Sequence, residues 1–393
     1  MLAKFCNMRL KFSFLILFLI LHLSTWAQLD NSHLGIQLPI DSQYNQELLF
    51  NFHNLDFMRN TEYFTPIERG ETLFGYDVLP NLVYYPGPKL RITAGLFARK
   101  DFGNDQFSII APFYNVKYGA NGISAEVGNL EGGVEHRLIE PFYDIDYVIT
   151  KPLESGFQVK IDKPWLWSDT WINWERMIYD NSPFKEEITN GSSNYLRVYH
   201  SPNKKFSITI PIQFLMHHFG GQISTISVDT TPITSMYTGA VGLSFNKQFN
   251  GNIISSLKSE NYFVWSRTFT NPSLARFPFG DGYYLNLILK SRFHVSCILS
   301  YWNVNDFYSP KGTHIYMSQS DYLPDFIEPK RDLLFLHFIY NREIMKNLFV
   351  NVRFEPYRSF DLNKGEFSYS VYFTYTKNFV LMKKKNPMLP EVM

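Results

Sequence analysis

Residues able to do chemistry gather in a few short stretches. In 131–146, EGGVEHRLIEPFYDID, the carboxylates Glu131, Glu135, Glu140, Asp144 and Asp146 lie close to His136 and Arg137. Clustered carboxylates can raise one another's pKa or ligate a hard cation, so a hydrolytic or cation-binding site is one reading. No spacing here matches a known ligand loop, which favours a solvated external loop whose charges pair with one another or with lipid head-group cations. His217-His218 opens a loop holding Gly220-Gly221. Neighbours on a strand point to opposite faces, so both cannot ligate one ion, and histidines at a membrane interface are the simpler reading.

The run PWLWSDTWINWERMIYDN, residues 164–181, is the most unusual. As a strand it places Trp165, Trp167, Asp169, Trp171, Asn173 and Glu175 on one face. Aromatic platforms beside carboxylate and amide groups are a surface that binds sugar rings, and Trp167, Asp169, Trp171, Asn173 and Glu175 form a candidate saccharide track. The alternative puts Trp165 and Trp167 in an interfacial girdle of indole rings. Asn190-Gly191-Ser192-Ser193-Asn194 invites comparison with outer-membrane phospholipases, which carry a histidine just before a Ser-Asn-Gly run. No histidine precedes Ser192 within the segment, and a turn is the better reading. Walker-type loops, dinucleotide fingerprints and zinc spacings are lacking, so no cofactor or metal is expected and no catalytic residue is assigned.

The elements that must position these residues follow a period of two. In Phe367 to Thr376, FSYSVYFTYT, aromatic and apolar residues alternate with Ser368, Ser370, Thr374 and Thr376, the pattern of lipid on one side and water on the other. Phe206, Ile208, Ile210, Ile212 and Phe214 alternate with Ser207, Thr209, Pro211 and Gln213, and Leu348, Val350, Val352 and Phe354 with Asn351, Arg353 and Glu355. About sixteen such segments are expected, near 46–57, 73–85, 90–102, 106–118, 122–130, 155–162, 166–178, 193–200, 205–218, 234–246, 253–267, 281–292, 295–307, 331–343, 348–359 and 366–379. Connections after even-numbered strands are short and turn-like; most after odd-numbered strands are long, the largest near 131–154, 219–233 and 308–330. A soluble sandwich with Greek-key crossings gives no reason for that alternation.

The ends and the composition agree. Lys4, Arg9 and Lys11 precede an apolar run, Phe12 to Leu23, and Thr25-Trp26-Ala27 fits a cleavage site, so residues 1–27 read as a secretory signal peptide. Without them the net charge is −2, which gives no long-range attraction to nucleic acid. Aromatics make up 17%, as a lipid face with two girdles requires. With no apolar run of eighteen residues in the remainder, a membrane fold must be a closed barrel.

The signal peptide, the strand-and-turn alternation and the aromatic last strand ending FTYTKNF together make the chain resemble the outer-membrane β-barrel proteins of Gram-negative bacteria. The resemblance implies an all-β fold, a transmembrane antiparallel up-and-down β-barrel in the cell outer membrane, with outer-membrane lipid and the barrel-insertion machinery as partners. The expected division is a signal peptide at 1–27, a periplasmic lead-in at 28–45, the barrel at 46–380 and a basic, proline-containing tail at 381–393. At that strand number the lumen is wide enough for water and solute. Inward positions carry both signs, with Arg91, Arg99 and Arg353 beside the tryptophan face as candidate lumen contacts. These features favour a porin-like or solute or saccharide transport channel, with an oligosaccharide or small solute as ligand. Two alternatives are an outer-membrane hydrolase of lipid or peptide, with a rim site drawn from 131–146 and His217, and a plugged surface-assembly or polysaccharide-handling barrel.

Overall fold

The computed structural model describes residues 31–221, 233–323 and 325–383; the signal-peptide and most of the tail assignments lie outside the described residues. Sixteen antiparallel strands close into one barrel, each paired with its sequence neighbours and β1 with β16. They are β1 (Leu48–Glu62), β2 (Thr72–Gly87), β3 (Leu90–Asp101), β4 (Ile109–Ala120), β5 (Ile123–Asn129), β6 (Ser155–Lys163), β7 (Leu166–Arg176) and β8 (Glu186–His200) in the first half. The second half comprises β9 (Phe206–Gly220), β10 (Thr234–Gln248), β11 (Ile254–Thr268), β12 (Phe279–Ser291), β13 (Val295–Asn305), β14 (Lys330–Met345), β15 (Leu348–Ser359) and β16 (Lys364–Met382). Closure leaves no unpaired edge, which the hydrocarbon region demands. No described helix is long and apolar enough to cross a membrane.

Alternation sorts the faces as the sequence indicates. Phe367, Tyr369 and Phe373 point outward while Ser368, Ser370 and Thr374 are buried inside, and Val352 and Phe354 are outward opposite inward Asn351, Arg353 and Glu355. The largest boundary difference is at β8: Asn190-Gly191-Ser192 is not a turn but part of the strand, which begins at Glu186. Gly191 pairs with Trp171, and a Cβ there would lie 2.5 Å from the indole ring. The glycine makes room for an aromatic neighbour across the ladder.

The interior is packed. The connection between β5 and β6 is not a solvated external loop: it turns inward as a plug, through a 3-10 turn at Gly133–His136 and one turn of α-helix, α1 (Tyr147–Thr150). Its apolar residues explain the inversion, since Leu130, Ile139, Phe142, Val148 and Ile149 are all buried. Residues 31–45 enter the same lumen from the short-turn end. Leu34 joins Val148 and Ile149 against Leu55, Phe57 and Tyr372, while Leu38 joins Leu153 against Leu79, Phe97 and Phe113. On the far wall Ile139 and Phe142 meet Trp302, Phe307, Tyr316 and Met317, the last three from the long β13–β14 connection. The plug thus touches the inner wall on several sides.

Candidate functional site

The acidic stretch 131–146 does not gather into one cluster; each charge goes to a different partner. Glu131 binds Lys117 at 2.7 Å and Lys160 at 2.8 Å, and its other oxygen accepts the Leu38 amide at 2.6 Å. Asp146 pairs with Arg59, Asp144 accepts from Thr313 at 3.1 Å, and Glu140 accepts the Tyr316 hydroxyl at 2.8 Å. Glu135 accepts from Gln37 of the lead-in at 3.4 Å. A buried carboxylate needs such partners.

His136 is fully buried. Its Nδ1 lies 3.0 Å from Asp169 and its Nε2 3.0 Å from Glu154, and the ring stacks on Trp171 with centroids 3.5 Å apart. Burial opposes the charged ring, but the carboxylates of Glu154 and Asp169 outweigh it and raise the His136 pKa to about 9. His136 is therefore an imidazolium clamp with both nitrogens engaged, which leaves it no means of acting as a base. Arg137 lies 3.9 Å over the Trp167 ring, and its carbonyl accepts from Tyr195 and Gln213, each at 2.9 Å.

His217 is placed differently. It is part-exposed near the end of β9, facing the barrel mouth, and its Nε2 lies 3.0 Å from Glu187 Oε1. Lys311, from the β13–β14 connection, reaches Glu187 at 3.0 Å and Glu175 at 2.6 Å, and Thr189 donates to Glu175 at 2.5 Å. A register shift in β7 between Trp174 and Arg176 makes Glu175 the extra residue of a bulge, which directs its carboxylate to this group. Ligand-capable atoms of Glu175, Glu187 and His217 lie within 4.8 Å of one another, and the Lys311 ammonium bridges the two carboxylates. A second such trio, Glu140, His337 and Glu355, lies in the interior, with Arg59 and Arg353 beside Glu355. His218 faces away from His217 and meets Ser235 at 2.7 Å, as strand alternation requires.

Two cavities adjoin this group. One, of about 380 Å³, is lined by Tyr143, Lys151, Glu175, Arg176, Glu187 and Lys311 among others. The second, of about 280 Å³, is bounded by His217 together with Phe219, Met236, Ala275, Phe277 and Tyr308. The imidazole borders the mainly apolar chamber while its carboxylate partner lines the larger one, whose wall mixes polar and apolar groups.

Residues 40–384 match the lipid A 3'-O-deacylase-type family. The chain belongs to that family. No curated protein matches it. Among solved structures, the loop L8 deletion mutant of OmpT, an outer membrane protein of Vibrio cholerae, is similar with a TM-score of 0.50 and 10% identity, over 84% of this chain and 99% of that one. OprD from Pseudomonas aeruginosa gives 0.49 and 9%, over 86% and 95%, and OccAB3 of Acinetobacter baumannii 0.48 and 11%, over 84% and 99%. The first likeness carries the fold, and this deacylase-type chain is an outer-membrane β-barrel in contact with membrane lipid.

In this deacylase-type barrel the tryptophan face points inward as one row, with Trp167, Asp169, Trp171 and Asn173 buried and Glu175 nearer the mouth. The two indole platforms are covered by Arg137 and His136, so in this structure the plug occupies the place a sugar would take. Trp165 alone of the pair assigned to a girdle is exposed. The arginines are interior too: Arg99 makes a two-pronged bond to Asp77 at 2.7 and 2.6 Å, Arg353 holds Asn31 at 2.5 Å and Asn351 at 2.8 Å, and Arg91 is buried on β3. Sequence reasoning missed Glu187 and Lys311. Extending the alternation of β8 backwards through Thr189 would have put Glu187 on the inner face; nothing local marked Lys311.

Proposed function

We propose that this barrel is an outer-membrane ester hydrolase that removes an acyl chain from a glycolipid of the outer leaflet, with His217 as general base. The observation that carries this reading is the place of His217, which bounds a mostly apolar cavity and bonds to Glu187, whose carboxylate lines a neighbouring cavity of mixed, charge-bearing wall. A lipid A 3'-O-deacylase acts on an amphiphile whose sugar is wet and whose chain is dry, with the ester between them. A site for it needs the same division, with the base at the junction.

With Nε2–H donating to Glu187, Nδ1 is the nitrogen that accepts a proton. It takes one from water as the oxygen bonds to the ester carbonyl carbon. Collapse of the tetrahedral adduct breaks the carbon–oxygen bond to the sugar, and the imidazolium returns its proton to the departing alkoxide. Glu187 orients the ring and offsets its transient charge, the part played by the acidic member of a catalytic triad. Lys311 bridges Glu175 and Glu187 and lessens the repulsion between the two carboxylates.

Passage of a solute or saccharide through the same barrel would require the plug to leave, because His136 and Arg137 of the plug cover the tryptophans that suggested a channel, and Arg99 and Arg353 are held by Asp77 and Asn31. For this reason the hydrolase is preferred to the porin-like channel. The test is incubation of the purified barrel in detergent with lipid A, followed by mass spectrometry for loss of one acyl chain. His217→Asn should slow that loss by roughly 10²-fold or more. Absence of acyl loss, or its survival in His217→Asn, would overturn the proposal.

A further inference from the structure

One part of the outer wall breaks the rule that lipid meets apolar groups. On the outward faces of β7 and β8, alternating with the buried, inward Trp167, Asp169, Trp171, Ser193 and Tyr195, stand Ser168, Thr170, Asn190, Ser192 and Asn194. Ser168 lies opposite Asn194 and Thr170 opposite Ser192, so the polar groups form one patch across the two strands. Ser168 donates to Asn194 at 2.6 Å, Asn194 donates to Ser192 at 2.9 Å, and the Thr170 and Ser192 hydroxyls share a bond of 2.9 Å. Thr170 is exposed and Asn190 half-buried, and the Asn190 side chain has no hydrogen-bond partner among the described residues. Trp165 on the short-turn side and Trp174 on the long-connection side, both exposed, set the patch between the two membrane interfaces. The flanking strands are ordinary: Phe157 on β6 and Ile212 and Phe214 on β9 are exposed and apolar.

In hydrocarbon no water completes the bonding of such groups. Serine, threonine and asparagine each carry donors and acceptors without charge, and serine and threonine are small enough to let two walls approach closely. A second copy, turned by a twofold axis along the membrane normal, brings the same set to the same depth, so donors meet acceptors and no like charges meet. Two other polar spots on the outer wall do not offer this. Asn54 with Asp56 on β1 includes a carboxylate, which a twofold axis would set against its like, and the Asn261 side chain on β11 is already used by Ser259 and the Asn286 amide.

We infer that the outer face of β7 and β8 is the contact of a twofold dimer of this chain within the membrane, with Thr170 and Ser192 at its centre. Nothing in this contact depends on hydrolysis at His217.

The first test is cross-linking of the barrel in vesicles of phosphatidylethanolamine and phosphatidylglycerol, in a Cys297→Ser background that removes the free cysteine. With a mild oxidant, Ser192→Cys should give a disulfide-linked pair in about tenfold higher yield than Val352→Cys on another part of the outer wall, because the bond forms only where Cα atoms come within about 7 Å. The second test is sedimentation in density-matched detergent. Thr170→Val/Ser192→Ala/Asn194→Leu should raise the dimer dissociation constant about tenfold or more, with heat-modifiable gel mobility retained as evidence of folding. Asn190→Leu breaks no side-chain bond within the chain and should weaken association in the same direction. A single copy at every concentration would overturn the inference, as would equal yields from the two cysteine positions, which would mark chance encounters. Species larger than a pair, or a dimer that neither variant weakens, would place the contact on another face and overturn it too.

Discussion

His136 lies flat on Trp171, with ring planes 8° apart and centroids 3.5 Å apart, joining the plug to the barrel wall. The contact depends on the charge state of His136, which carries its pH dependence.

The His136 pKa is raised from 6.5 to about 9, so its contribution to holding the plug is complete below pH 6.5 and is lost as pH rises through about 9. Burial raises the pKa of Glu154, but His136 outweighs it and lowers the value from 4.5 to about 2, so at the acid end the same contact is complete above 4.5 and lost as pH falls through about 2. The plug should be held most firmly between about pH 4.5 and 6.5. Tryptophan fluorescence should change with a midpoint near 9, and Trp171→Phe should remove that change. A midpoint near 6.5 would show that the carboxylates do not bind a charged ring.

Removing the clamp should be costly. His136→Ala leaves Glu154 buried without its cation and Asp169 with only Lys160 at 4.0 Å, a loss of roughly 3 to 5 kcal/mol. Limited proteolysis should cut the variant between Gly132 and Lys151 under conditions that spare the parent. Equal resistance would mean that the other contacts of the plug, such as Asp146 on Arg59 and Ile139 and Phe142 in the core, hold it without the clamp.

Gly191→Val should disturb the same contact from the other side, because its side chain would enter the space of the Trp171 ring. Overpacking of this kind costs about 1–3 kcal/mol. The high-pH fluorescence midpoint should move down, and Trp171→Phe in the Gly191→Val background should recover part of the lost thermal stability. No recovery would place the strain elsewhere.

The filled lumen makes an electrical prediction. The parent barrel should pass little current in planar bilayers, whereas a chain lacking 132–150 should conduct ions. Steady conductance by the parent would restore the channel reading in which Arg91, Arg99 and Arg353 line a path.

On the outer face, Val352→Lys should impair insertion, since a lysine facing lipid at the midplane costs about 2–4 kcal/mol, while Val352→Leu should be tolerated. Heat-modifiable mobility after refolding into lipid vesicles reads both. Equal yields would mean that Val352 does not face hydrocarbon.

The wall of this protein was legible because lipid outside and polar groups inside impose a period of two that no distant contact is needed to reveal. β8 was read short because Asn190-Gly191-Ser192 has the composition of a turn, and only the ring of Trp171 across the ladder explains the glycine. The plug was misplaced because Ile139 and Phe142 are separated by Glu140 and Pro141 in a segment without periodicity, and their burial depends on Trp302 and Tyr316 far along the chain. His217 was visible as a candidate; its setting was not, since Lys311 arrives from a connection with no regular structure of its own.

The lead-in bonds to the last part of the chain to be made, with Asn31 on Arg353, His33 stacked on Phe349 at 3.8 Å, and Leu34 against Tyr372. These contacts join residues more than 300 positions apart. They cannot form until β15 and β16 exist, and the barrel must then close around a segment that precedes every strand. Contacts at such sequence separation are slow to form. Assembly should therefore have a late step in which the closed wall and the threaded segment settle together, and shortening the lead-in should hasten closure while leaving the finished interior less firmly held.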